Sequence, residues 1–147
     1  MKKANPYQTY QKADMTAADP VKVIVMLYEG AIRNLRQTVG HFEAGRKTQA
    51  SERINKTLKI VQYLSTSLNH EKGGEIAHNL ENLYDYVRDT LAMANIDSDT
   101  AKIKSAIDVL EPLLEGWQTI TTEQKKAEQN SVPKQKPSSS QGLSAVG

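Results

Sequence analysis

Glu75-Ile76-Ala77-His78 has the spacing of the Glu-x-x-His unit found in carboxylate-bridged metal bundles. Residues three apart share a helix face, so one such unit can offer a carboxylate and an imidazole to one ion. A complete centre takes two of these units and two more inward glutamates. This chain has one unit, so Glu75 and His78 are expected to be solvated or to cap a helix. His70-Glu71 is not followed by a second histidine at the zinc-protease spacing. Lys72-Gly73-Gly74 follows no strand, as a phosphate loop would, and is read as a helix terminator. His41 falls near the end of a helix, where the helix dipole favours a cation. The chain has no cysteine, which removes thiolate ligands and cysteine catalysis. No catalytic residue, metal or cofactor is assigned, and the chain is read as a non-enzyme.

The tyrosines carry more information. Six of the eight aromatic residues are Tyr, a side chain suited to places half apolar and half wet, as interfaces are. Tyr28 and Tyr84 fall at the core or its edge. Tyr7 and Tyr10 lie in a polar segment with no helical period, where Pro6 restricts the backbone and lowers the entropy cost of docking.

These residues need a scaffold, and 147 residues are enough for one domain with a core. Net charge is +2 with 24% charged residues, so both signs are mixed and no basic stripe marks a nucleic-acid binder. Asn5-Pro6-Tyr7-Gln8 follows Lys2-Lys3 where a signal peptide would be apolar, and no apolar run approaches the ~20 residues of a membrane span. A cytosolic protein is expected.

Residues 1–18 read as an extended N-terminal arm, residues 19–129 as a helical bundle and residues 130–147, rich in Ser, Gln, Lys and Pro, as a disordered tail. Asp19-Pro20 is a helix start, and the first helix should end near His41 or Phe42, with Gly45 in the break. Helix two should begin at Thr48 or Ser51 and carry Ile54, Leu58, Val61, Leu64 and Leu68 inward. Gly73-Gly74 should close that hairpin. Helix three should carry Ile76, Leu80, Leu83, Val87, Leu91 and Ala94. Asn95–Asp99 offers caps for helix four, whose stripe is Ile103, Ile107, Leu110, Leu114 and Trp117. Pro112 should bend or divide it. No useful strand pattern appears, so the fold expected is all-α, an antiparallel up-and-down four-helix bundle.

Helix one has more apolar residues than one face can use. Ile24, Tyr28, Ala31, Leu35 and Phe42 form one stripe, leaving Val23, Met26 and Leu27 to point largely elsewhere. A second stripe requires a second partner: another helix of the chain, another subunit or a peptide.

Several short segments point to the peptide. Asn5-Pro6-Tyr7-Gln8-Thr9-Tyr10 and Val25-Met26-Leu27-Tyr28-Glu29-Gly30-Ala31-Ile32 resemble the flagellar export chaperone FliS family. So do Arg53-Ile54-Asn55-Lys56, Leu68-Asn69, Gly73-Gly74-Glu75-Ile76-Ala77, Asn79-Leu80, Leu83-Tyr84-Asp85-Tyr86 and Ala94-Asn95. The resemblance runs in order from about Asn5 to Trp117. It implies a cytoplasmic bundle that binds the disordered C-terminal segment of flagellin, prevents premature polymerisation and delivers it for export. It also implies an arm that covers part of the groove, through Tyr7 and Tyr10, and yields to the client. The export gate and the anti-sigma factor FlgM are further partners implied by the family.

The expected groove combines Val23, Met26 and Leu27 on helix one with Ile60 and Tyr63 on helix two and Tyr84 and Tyr86 on helix three. Asn55, Lys56 and Asn79, at family motif positions, are expected to hydrogen-bond the client backbone. The competing expectation is a structural or regulatory bundle that uses the second stripe to self-associate. A monomer or weak dimer fits either.

Overall fold

The computed structural model describes residues 20–129, with side chains through residue 120. The arm with Tyr7 and Tyr10, the N-cap Asp19 and the tail lie outside the described residues. Four helices follow one another: α1 (Pro20–Glu43), α2 (Lys47–Thr66), α3 (His70–Asp97) and α4 (Thr100–Gln129). Each packs on its neighbours in sequence, and α4 closes against α1. Connections of two or three residues force antiparallel neighbours. The result is the antiparallel four-helix bundle expected from the periodicity.

The connections follow from local chemistry. Gly45 takes φ +76 in the α1–α2 turn, a conformation a β-carbon disfavours. Asn69 caps α3, its side chain accepting from the Lys72 N–H at 2.9 Å. Asp99 caps α4, accepting from the backbone of Ala101 at 2.9 Å and of Lys102 at 3.3 Å. The Lys102 N–H holds the Asp99 carboxyl below its usual range.

Three expectations about the elements need correction. Gly73-Gly74 does not close the second helix, which ends at Thr66. Gly74, at φ 52 and ψ −122, instead kinks α3 one turn after its start. The first turn thereby folds so that the His70 Nε2 reaches Glu81 at 3.0 Å. Pro112 does not divide α4, which runs through it. Pro112 and Asp108, whose carbonyl loses its helical donor to the proline, are both exposed residues. The inward face of α3 is Ala77, Leu80, Tyr84, Val87, Leu91 and Ala94. Ile76 and Leu83, expected inside, are exposed.

The core explains the excess of apolar residues on α1. Ile24, Tyr28, Ala31 and Leu35 are buried as expected, and so are Val23, Leu27, Gly30, Asn34 and Thr38. This second set turns toward α2, where Ala50, Ile54, Thr57, Ile60 and Val61 are buried. Small residues on both helices let the backbones approach closely. The polar groups between them are paired: Arg53 Nη1 donates to Asn34 Oδ1 at 3.2 Å, Thr38 to the Asn34 carbonyl at 2.9 Å and Thr57 to the Arg53 carbonyl at 3.0 Å. Paired buried groups avoid the penalty of an unmade hydrogen bond. The partner of the second stripe is therefore α2 of the same chain.

Candidate functional site

The ten residues expected to form one groove occupy three environments. Val23, Leu27, Ile60 and Tyr84 are core residues, the last three 0–1% exposed. They present no surface to a partner and leave the candidate site. The physical reason is the wide buried arc of α1, which must satisfy α2 and α4 at once. Met26 and Tyr63 are half-buried at the rim of the α1–α2 interface, while Asn55 and Lys56 are exposed on α2. Asn79 and Tyr86 are exposed on α3.

Hydrogen bonds to α2 show how α3 is turned. Arg88 donates to Gln62 at 3.2 Å, Ser51 donates to Asn95 Oδ1 at 2.7 Å and Lys47 donates to the Asn95 carbonyl at 3.1 Å. These contacts mark one flank of α3. Asn79 and Tyr86 lie on the opposite flank at 100° per residue. The structure therefore separates the Met26–Tyr63 rim from the Asn79–Tyr86 surface.

Tyr84 fixes that rotation from inside. Its hydroxyl lies 2.6 Å from that of Tyr28, across the bundle, and the Tyr28 hydroxyl also bonds the Trp117 side chain. One polar chain thus joins α1, α3 and α4 in an apolar interior. Burial pushes the Tyr28 phenol up to about 12, and burial together with the neighbouring Tyr28 charge pushes Tyr84 up as well. Both stay neutral at physiological pH and act as hydrogen-bonding core residues.

With Tyr84 pointing in, a row of large apolar side chains points out. Ile76 is 47% exposed, Leu83 36%, Tyr86 48% and Met93 53%. With Asn79 and Thr90 the row reads 76, 79, 83, 86, 90, 93, an alternation of three and four that lines one helix face. It sits about 100° round α3 from the buried face. On α4, the half-buried Val109, Leu113 and Ile120 lie on the flank toward α3. Sequence reasoning missed Ile76, Leu83 and Met93. The signal was present as a second three-four row beside the first, but two interleaved rows on one helix do not say which is inside.

A groove of about 440 Å³ lies between α1 and α4, lined by Ile32 and Leu114 among charged neighbours. It is bridged by the Arg36–Glu111 ion pair and by Gln118 donating to Glu29 at 3.3 Å. Glu75 and His78 are exposed. Among the described residues, no three His, Asp or Glu side chains gather to hold a metal ion, and no helix is long and apolar enough to cross a membrane.

The bundle thus carries an outward apolar row on α3, and comparison with known proteins gives it a family. A family model described as Flagellar protein FliS matches residues 3–124. Over 120 residues the chain is 32% identical to the flagellar secretion chaperone FliS of Vibrio cholerae, covering 79% of this chain and 88% of that protein. It is 33% identical over 115 residues to that of Salmonella typhimurium, covering 78% and 85%. It is 29% identical over 122 residues to that of Bacillus subtilis, covering 82% and 90%. Matched over most of its length to the family model and to these relatives, the chain belongs to the FliS family of flagellar secretion chaperones.

Proposed function

We propose that this chaperone binds the disordered C-terminal segment of newly made flagellin in the cytoplasm, keeps it from polymerising and delivers it to the flagellar export apparatus. The observation that carries this reading is the outward row Ile76, Leu83, Tyr86 and Met93 on a chain of the FliS family. An amphipathic segment recognises such a surface through apolar anchors at helical spacing. Met93 adapts to varied partners through its flexible thioether. Asn79 lies within the row to meet polar groups of the client.

The magnitudes say how much surface the client must use. Completing the burial of four half-exposed large side chains contributes about 3–6 kcal/mol. Ordering a disordered segment costs about 2–5 kcal/mol. The α3 row alone therefore roughly breaks even. Tight binding needs a longer path, and the half-buried Met26 and Tyr63 at the α1–α2 rim supply a second contact, with Asn55 and Lys56 beside them.

Calorimetric titration with a peptide covering about the last 40 residues of the cognate flagellin should show sub-micromolar, one-to-one binding with a strongly negative heat-capacity change, the marker of apolar burial. Tyr86→Asp and Met93→Asp should each weaken binding at least about tenfold, or about 1.4 kcal/mol, with helicity intact. Unchanged affinity in both variants would remove the α3 row from the site. No binding at tens of micromolar would overturn the flagellin reading itself.

A further inference from the structure

The row on α3 is one wall of a groove whose other wall is α4. The two helices run antiparallel from the turn at Ser98 and Asp99, which sets Tyr86 level with Pro112 and Leu83 level with Gly116. Val109 and Ile120 continue the α4 wall to either side, on the flank that faces α3 at 100° per residue. Between the levels of Met93 and Ile76 neither wall carries a charge. Charge begins at the rims. Glu75 and Asp89 follow the outer edge of the α3 wall, Asp108 and Glu115 that of the α4 wall, and all four are exposed. Among the described residues none of these four carboxylates is in an ion pair. Nearby bases are engaged elsewhere: Arg88 bonds Gln62 on α2 and pairs with Asp85, and Lys102 pairs with Asp99. Lys104, one turn before Asp108, offsets part of the acidity.

Gly116 marks the middle of the groove. A glycine inside a helix is destabilising relative to alanine. Its φ here is not positive, and a β-carbon would meet nothing within 4 Å. Neither the backbone nor the packing of the bundle therefore calls for it. Opposite Leu83 it leaves open space between two apolar walls. From these features we infer that the α3–α4 groove receives an amphipathic helix with Lys or Arg along both edges of its apolar face, and that a large apolar side chain of that helix seats against Gly116. The walls supply the apolar contact. The rims supply charge complementarity and repel a helix with acidic edges. The inference deepens the flagellin reading, on which the identity of the partner rests; the chemistry of the groove does not depend on it.

The probes are two synthetic helical peptides of about 18 residues, the length of the row at 1.5 Å per residue. They share one apolar face at three-four spacing and carry either Lys or Glu along its edges. Each is labelled with fluorescein and titrated with the full chain. The Lys-edged peptide should bind about tenfold tighter than the Glu-edged one at about 50 mM salt, and the gap should close at about 500 mM. The chain's net charge of +2 would by itself favour the Glu-edged peptide, so this preference reports the rims. Asp89→Lys combined with Asp108→Lys should abolish or reverse it. Gly116→Leu should weaken the Lys-edged peptide at least about tenfold, while thermal stability holds or rises, because leucine is the better helix former. Equal affinity for the two peptides at low salt, no binding of either at about 500 µM, a preference untouched by the double reversal, or full binding by Gly116→Leu would each overturn the proposal. Binding of the flagellin peptide without any edge preference would leave the flagellin reading standing and overturn this one. A Lys-edged preference with no binding of the flagellin peptide would do the reverse.

Discussion

Replacing Tyr28 or Tyr84 by Phe tests whether the hydrogen-bonded pair fixes the rotation of α3 and so the outward row. The two hydroxyls lie 2.6 Å apart at side chains 0% and 1% exposed. Phe keeps the ring and removes only the oxygen. Tyr84→Phe takes from Tyr28 one of its two partners. A buried hydroxyl that loses its partner costs about 1–3 kcal/mol. Tyr28→Phe strips both Tyr84 and the Trp117 side chain of a partner, so it should be the more damaging change. The double variant removes both hydroxyls and should cost less than the sum of the singles by about 1–2 kcal/mol, as expected for groups in direct contact. Urea unfolding of the four proteins at neutral pH measures this coupling. The pH dependence gives a second reading. The Tyr28 phenol ionises near 10 in the unfolded chain and near 12 in the folded one. Its contribution is complete below pH 10 and is lost as the pH rises through 12, at about 1.4 kcal/mol per unit and about 3 kcal/mol in all. Tyr84, pushed the same way by burial, adds to that fall. Tyr28→Phe should remove the Tyr28 part and give a shallower decline. Additive single costs, together with parallel alkaline declines in wild type and Tyr28→Phe, would refute a coupled buried pair.

Two further changes separate core from surface and backbone from side chain. Leu27→Ala should lower stability by about 2–5 kcal/mol in urea, because Leu27 is wholly buried. Any loss of client binding should track the unfolded fraction. Gly74→Ala should cost about 1–3 kcal/mol, since φ 52 with ψ −122 is a glycine conformation and a β-carbon there meets no atom within 4 Å. The penalty is therefore backbone strain, and hydrogen exchange should report it in the first turns of α3.

The helices were legible because their causes are local. Apolar residues at three-four spacing in α4, with Ile103, Ala106, Leu110 and Trp117 buried, need no knowledge of a partner to read as one inner face. Gly45 and Asp99 likewise act within a few residues of their own backbone. The family was legible too, because short motifs in a fixed order survive without a structure. The site was less so. Met26, Tyr63, Asn55, Lys56, Asn79 and Tyr86 remain at or near the surface, while Val23, Leu27, Ile60 and Tyr84 do not.

The sequence by itself determined that α1 has two apolar stripes and α3 two interleaved ones, since periodicity is a property of one chain. It could not say which stripe another helix would cover. That depends on the rotation of each helix about its axis, which is set by packing between residues far apart in sequence. On α1, the second stripe, with Gly30, Asn34 and Thr38 buried, turned onto α2, where Arg53 donates to Asn34. On α3, the hydroxyl of Tyr84 found that of Tyr28, 56 positions away. With Tyr84 held inside by that bond, Leu83 and Tyr86 were left facing water.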